Sequence, residues 1–116
     1  MEDSILMTIK GLLGPDSDYD EFDQDILVFI NSALATLTQI GLGPSTGFRI
    51  KGNQETWSDF LGNAKDLDSV KEYIYMRVKI AFDPPASSAV LSAYQETIKE
   101  LTWRLNVAVD PYRLDS

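Results

Sequence analysis

The sequence predicts an all-α fold: a small helical bundle of three main helices plus one or two short helices, with a long glycine-rich loop that can hold a short extended segment. Three observations support this. Apolar residues recur at helical spacing in three long segments, glycine or proline follows each of them, and 44% of the 116 residues are hydrophobic, enough for one modest core. The length corresponds to one domain. We assign residues 1–106 to a helical domain and residues 107–116 to a C-terminal tail.

The N-terminal part is predicted to hold a short helix followed by a long one. Ser4 can cap the short helix, which Gly14 and Pro15 end. An acidic run at residues 16–25 leads into the long helix, and Gly41 stands where a left-handed cap belongs. The apolar stripe of this helix is the cleanest in the chain. It consists of Ile26, Phe29, Ile30, Ala33, Leu34, Leu37 and Ile40.

A long loop follows, with the sequence GLGPSTGFRIKG at residues 41–52. Its four glycines and one proline argue against regular structure. Phe48, Arg49 and Ile50 can form a short extended segment, and residues 56–61 can form one or two helical turns that Gly62 ends. We favour a flexible connection for this loop. The alternative is a contact loop that uses Phe48 and Arg49, because long loops in small domains are often functional.

Residues 67–82 are predicted to form a helix with two adjoining apolar stripes. One stripe holds Leu67, Val70, Ile74, Val78 and Ala81, and the other holds Tyr73, Met76 and Ile80. A helix that is apolar over so much of its girth packs on more than one side. Because a bundle of this size has few helices with which to cover both stripes, the second stripe suggests an oligomer.

The stretch AFDPPASSA, residues 81–89, is predicted to be a firm corner between two helices. Asp83 precedes a proline and is disfavoured in a helix, and Pro84 and Pro85 lack the amide that a helix needs. Ser87 or Ser88 can then cap the last helix. That helix has an apolar stripe of Val90, Leu91, Tyr94, Ile98, Leu101 and Leu105, with Glu100 four residues before Arg104, and Pro111 is predicted to stop it.

The composition argues against several classes of function. The net charge is −8, and Lys and Arg are not clustered, which disfavours binding to a phosphate backbone. The chain has no cysteine and no histidine, and no serine stands beside a lysine in a catalytic motif, so we expect no enzyme activity and no cofactor. The longest apolar stretch, residues 26–30, is far shorter than the roughly 20 residues of a membrane span. The N-terminus lacks the features of a signal peptide, so we expect no export signal.

Two motif matches fail on inspection. Asp16, Asp18 and Asp20 alternate like the start of a calcium loop, but Glu21 replaces the required glycine and Leu27 the bidentate glutamate. We therefore favour a solvated face that complements the dipole of the following helix. The glycine loop matches neither the dinucleotide fingerprint nor the P-loop beyond two glycines.

Trp103 lies about 200° around its helix from Leu101, so it is predicted to point away from the core. Either the C-terminal tail or the long loop half covers it, or it anchors an interface, for which tryptophan is enriched. The sequence alone leaves both open.

Two blocks of this sequence resemble a known family. The run SVKEYIYMRVKIAFDPPASSAVLSAYQETIKELTWRLN at residues 69–106, preceded by GPSTGFRIKGNQETWSDFLG, is similar to the head-to-tail connector proteins of tailed bacteriophages, also called adaptor or head-completion proteins. YIYMRVKIAFDPP and KELTWRLN carry most of the resemblance, which covers about two thirds of the chain.

The resemblance implies a structural virion protein of the phage neck, assembled in the host cytoplasm. Such subunits form a ring, typically of twelve copies, that binds the portal protein on one side and a stopper or tail-completion protein on the other. Double-stranded DNA passes through the ring without specific binding. Trp103 and Arg104 are then candidate interface residues, and Val109, Tyr112 and Leu114 are candidate portal contacts. The corner would set the angle between two contact surfaces.

A second interpretation stays open at this point. A small acidic helical protein of this composition can also be a protein-binding module, such as a regulator or an antitoxin-like partner that covers a basic surface. The acidic run at residues 16–25 would then be its working face.

Overall fold

Five α-helices form the fold in the part of the chain that our computed structural model describes, namely residues 4–14, 20–44, 46–62 and 67–114, with side chains as far as Val107. They are α1 (Ile5–Leu13), α2 (Asp23–Gln39), α3 (Trp57–Leu61), α4 (Leu67–Phe82) and α5 (Ser88–Leu114), and a 3₁₀ turn (Asp20–Phe22) precedes α2. These residues contain no strand, only an isolated bridge between Ser4 and Thr56. The predicted all-α class is therefore confirmed.

Capping residues define the short helices, and those at Ser4, Gly14 and Gly62 are the ones that the sequence predicts. The hydroxyl of Ser4 accepts a hydrogen bond from the amide of Met7 at 3.3 Å, and α1 ends at Gly14, whose φ of 112° favours glycine. The Thr56 hydroxyl and the Asp59 carboxylate form a reciprocal capping box at the start of α3, and Gly62 ends it. The indole of Trp57 donates to Thr8 at 3.1 Å and so joins α3 to α1.

Helix α4 lies at the centre of the bundle and packs against α1, α2 and α5. The prediction of packing on more than one side is confirmed. Its buried residues are Val70, Tyr73, Ile74 and Val78. The Arg77 guanidinium donates to the Tyr73 hydroxyl at 2.8 Å and to Thr36 of α2 at 3.1 Å, so a polar network ties α4 to α2 beside the apolar core.

The corner between α4 and α5 is fixed by local bonds on both sides. The amide of Asp83 donates to the carbonyl of Lys79 at 2.9 Å, and its carboxylate lies 2.9 Å from the Lys79 ammonium. Ser87 caps α5, because its hydroxyl accepts from the amide of Val90 at 3.4 Å and its carbonyl from the amide of Leu91 at 3.0 Å. The predicted stop and restart are confirmed.

Helix α5 does not end at Pro111, and the prediction of a helix-stopping proline is wrong. The helix continues to Leu114. Proline lacks the amide that would bond the carbonyl four residues earlier, which is that of Val107. Because Val107 is on the exposed side of α5, water can satisfy this carbonyl and the helix can continue. The boundary between domain and tail at residue 107 is thus not a break in the helix.

A buried ion pair joins the end of α1 to the start of α2. The Lys10 ammonium lies 2.8 Å from the Asp23 carboxylate and 3.5 Å from that of Asp20, with the Lys10 side chain almost entirely buried. Burial opposes the charged form of Lys10, but the hydrogen bonds and charges of Asp23 and Asp20 together outweigh it and raise the pKa of Lys10 above its usual 10.5. Part of the acidic run therefore serves the fold, whereas Asp16 and Asp18 lie outside the described residues.

Lys10→Met should lower the melting temperature, and the difference from wild type should depend on pH. A lysine whose pKa is raised by folding stabilises the fold fully at pH values below its unfolded pKa. This contribution is lost as the pH rises through the higher folded pKa. We expect a difference in melting temperature that is constant from neutral pH to about pH 10 and shrinks above pH 10.5. Thermal melts across this range test it, with the exposed Lys99→Met as control; a difference that grows above pH 10.5 would contradict the role of the charge.

Candidate assembly surfaces

Trp103 and Val107 form an apolar ridge on the outer face of α5, one turn apart. The Trp103 side chain is 67% exposed and that of Val107 is 41% exposed, whereas Leu101 and Leu105 are buried on the opposite face. The direction predicted for Trp103 is confirmed, and its exposure argues against the half-covered interpretation. We call these two residues the α5 ridge. A large aromatic side chain left in water by its own subunit is a typical interface anchor.

Charged residues surround the α5 ridge. Glu100 and Arg104 form the predicted pair one turn apart, and Lys99 lies 3.9 Å from Glu96. All four side chains are more than half exposed, and exposed pairs of this kind contribute little to stability. An apolar centre with a polar rim is the usual anatomy of a protein interface.

The long loop is held to α2 by the side chain of Asn31. The amide of Ile50 donates to Asn31 Oδ1 at 2.8 Å, and Asn31 Nδ2 donates to the carbonyl of Ile50 at 3.0 Å. Asn31 thus pairs with both backbone groups of one residue, as a neighbouring strand would. The extended segment predicted at residues 48–50 is not assigned as a strand, because its partner is a side chain.

Aromatic contacts hold the same loop from the other side. The ring of Phe48 lies 5.3 Å from that of Phe60, centroid to centroid, and Phe48 is half-buried. Gly43 approaches Phe60 so closely that a Cβ atom there would lie 2.4 Å from the ring, and its φ of 76° also requires glycine. The described part of the loop is therefore held at both Phe48 and Ile50, which argues against the prediction that the loop is a flexible connection.

An open groove lies between the outer face of α2 and this loop, with a volume of about 570 Å³. Val28, Ser32 and Ala35 form its α2 wall, and Phe48 and Arg49 lie on the loop side. Val28 is 63% exposed, although the opposite face of the same helix is entirely buried. Arg49 is exposed and makes no ion pair with the described residues. We call this feature the α2 groove.

The other predicted interface residues differ in exposure. Tyr73 is 2% exposed and belongs to the core, so its prediction as a surface contact is corrected: α4 is covered on this side by its own subunit. Met76 and Ile80 are half-buried, Arg104 is exposed, and at the corner Asp83 and Pro84 are exposed while Pro85 is half-buried. Val109, Tyr112 and Leu114 lie on the last turns of α5, and their side chains are outside the described part of the chain.

The geometry therefore yields two exposed surfaces that are candidates for protein contacts, the α5 ridge and the α2 groove. Within the described residues, no three acidic side chains lie close enough together to hold a metal ion. The sequence predicted Trp103 of the α5 ridge but not Val107, and Phe48 and Arg49 on the loop side of the α2 groove but not its α2 wall or the Asn31 bond. The available signal was Asn31 itself, since asparagine is unfavourable in the middle of a helix.

The sequence profile of the phage connector protein family matches residues 5–112, which run from α1 to the last turn of α5. The chain belongs to this family of phage head-tail connectors. No curated protein and no solved structure gives a significant match. The match confirms the resemblance and extends it to the N-terminal helix.

Family membership gives this connector a structural role in the phage particle. Connectors are structural virion components that contact other head and tail proteins, and the family is not an enzymatic one. The match therefore favours the connector interpretation over the acidic binding module. Among the described residues, every helix is too short or too polar to span a lipid bilayer.

Proposed function

We propose that this connector is the subunit of a ring in the virion neck that joins the portal to the stopper or tail and lengthens the DNA channel. The observation that carries the proposal is the family match over nearly the whole chain. The ring is built in the cytoplasm of the bacterial host and, as in similar proteins, has twelve copies.

Two features of the subunit support a closed ring. A cyclic assembly uses a heterologous interface, in which one surface of a subunit contacts a different surface of the next. The α5 ridge and the α2 groove are two such surfaces, both exposed and on different helices. Covering these two surfaces would stabilise the assembly, since burial of apolar surface is favourable and a few buried anchors, among which tryptophan is enriched, carry most of the binding energy of protein interfaces.

The charge of the subunit supports passage of DNA through such a ring. The chain carries 18 acidic and 10 basic residues. Several of the cations are already held by carboxylates of the same chain, including Lys10, Lys79 and Arg104. A channel wall built from this protein repels phosphate, so DNA would slide through without sticking.

The last turns of α5 are proposed to contact the portal, through Val109, Tyr112 and Leu114. The 27 residues of α5 correspond to about 40 Å of helix, close to the longest dimension of the subunit, 46 Å. Helix α5 thus links the corner at its N-terminal end to the proposed portal contact at its C-terminal end.

Binding to purified portal tests the proposal. Full-length connector should co-sediment with portal rings, and a variant that lacks residues 108–116 should not, because it retains the buried Leu101 and Leu105 and the α5 ridge but loses the proposed contact. Circular dichroism of the truncated chain controls for folding. Equal binding of both chains would overturn the portal contact, and no binding of the full-length connector would overturn the proposed function.

The corner should matter more for assembly than for folding. Replacing Pro84 and Pro85 with alanine leaves the Lys79–Asp83 bond and the Ser87 cap in place but frees the backbone angles between them. We expect a folded subunit with a melting temperature within a few degrees of wild type and clearly reduced ring formation on the portal. Normal ring formation would show that the corner serves folding alone.

A further inference from the structure

We infer that the α5 ridge of one copy docks into the α2 groove of the next copy around the ring. This inference rests on the proposed function and identifies the surfaces that meet. It is carried by the burial, charge and placement of the two surfaces within one subunit.

A subunit cannot fill its own groove with its own ridge. Helices α2 and α5 both pack against α4, and each turns its buried face toward the bundle. Val28 lies opposite the buried face of α2, and Trp103 lies opposite the buried residues of α5. Both surfaces therefore face outward from the bundle, and only another copy can bring a ridge to the groove.

The α2 groove is preformed and suits an aromatic side chain. Asn31 fixes its loop wall through two hydrogen bonds, and Phe48 rests against Phe60. Its volume of about 570 Å³ is within the range of sites that enclose large apolar groups. Val28 and Ala35 offer apolar contacts for an indole, and because the wall is already ordered, docking costs little conformational entropy.

Charge complementarity selects the α5 ridge as the occupant. Two subunits of net charge −8 repel each other unless the contact itself places cations opposite carboxylates. Arg49, at the loop side of the groove, is exposed and makes no ion pair with the described residues. The ridge brings Glu96 and Glu100, which lie two turns and one turn before Trp103 on the same face. Lys99 and Arg104 of the same helix pair with these carboxylates, but both pairs are exposed and contribute little, so a carboxylate can exchange its partner for Arg49. The guanidinium can reach such a carboxylate while it stacks on the indole.

Charge reversal gives the first test. Arg49→Glu should weaken self-association about tenfold or more, because it places like charges at the contact, without lowering the melting temperature. Glu96→Arg in the same chain should restore association, whereas Glu72→Arg, an exposed site on α4, should not. Unchanged association of Arg49→Glu would overturn the inference.

Site-directed crosslinking gives the decisive test. Because the chain has no native cysteine, only the introduced thiols can react. Val28→Cys chains mixed with Val107→Cys chains, treated with a short bis-maleimide on portal rings, should give covalent dimers with one copy of each. The double variant should give a ladder of multimers. Val90→Cys is the matched control for Val107→Cys, because it is 43% exposed but lies about 25 Å away along α5 on another face.

The outcomes separate this inference from the proposed function. If rings form on the portal but Val28→Cys crosslinks to Val107→Cys no better than to Val90→Cys, the docking of ridge into groove is wrong and the ring stands. If the connector forms no oligomer, either free or on the portal, and does not bind the portal, both the proposed function and the docking of ridge into groove are wrong.

Discussion

Replacing Trp103 with alanine is expected to abolish ring assembly while leaving the subunit almost as stable as the wild type. The indole is 67% exposed, so its removal opens no cavity in the core. In the assembled ring it would be a central, desolvated anchor, and removing such an anchor costs at least about 2 kcal/mol per interface, or roughly 30-fold in affinity. Native mass spectrometry of the assemblies and thermal melts of the subunit measure the two effects separately.

Leu105→Ala is the matched control for Trp103→Ala, two residues away on the same helix. Leu105 is buried in the core, so its truncation should cost about 2–5 kcal/mol of stability and lower the melting temperature by roughly 10 °C or more. If Trp103→Ala shifts the melting temperature as far as Leu105→Ala does, with assembly intact relative to folded protein, Trp103 is a structural residue and the α5 ridge is not an interface.

Asn31→Ala should be the most damaging substitution outside the apolar core. Ile50 is buried, and the Asn31 side chain pairs with both its amide and its carbonyl. Without Asn31 these two backbone groups are buried and unsatisfied, which costs about 1–3 kcal/mol each, less a few tenths for the better helix propensity of alanine. We expect a net loss of about 2–4 kcal/mol in the free energy of unfolding, measured by urea denaturation.

Hydrogen exchange at the Ile50 amide distinguishes a lost bond from general destabilisation. In the wild type this amide donates to Asn31 and should be protected, whereas in Asn31→Ala it should exchange much faster than amides of α4. Asn53→Ala is the control, because Asn53 is exposed and bonds only its neighbour Gln54 among the described residues. An Ile50 amide that exchanges at the wild-type rate in Asn31→Ala would show that Asn31 does not hold the loop.

Periodicity and capping chemistry were enough to predict the helices. The apolar spacing marked α2 and α4, and Ser4, Thr56 and Ser87 each act at a helix start that the sequence indicates. These signals are local, because a cap bonds an amide three residues away and a stripe is set by helical geometry. Pro111 shows the limit of local rules, since the cost of one missing hydrogen bond did not end α5.

Contacts between distant residues could not be predicted in this way. Asn31 meets Ile50 from 19 positions away, and Arg77 meets Thr36 from 41 positions away. Such polar pairs depend on how helices pack and leave no periodic signal. The same limit explains Tyr73: two apolar stripes on α4 predict two contacts, but not whether the second partner is a helix of the same subunit or a neighbouring copy.

The candidate surfaces could be predicted only in part, for the same reason. Trp103 was identified because its position around α5 departs from the apolar stripe, a property of the helix alone. The α2 groove exists only where the loop wall stands against Val28 and Ala35, so it required the fold.

The mass of portal bound to this connector tests the central claim most directly. Native mass spectrometry of purified portal, with and without the connector, should show one discrete complex that is heavier by an integral number of copies of the 13.0 kDa chain, twelve for a ring like those of similar proteins. A portal mass that stays unchanged with folded connector in excess would contradict the ring and the role proposed for it.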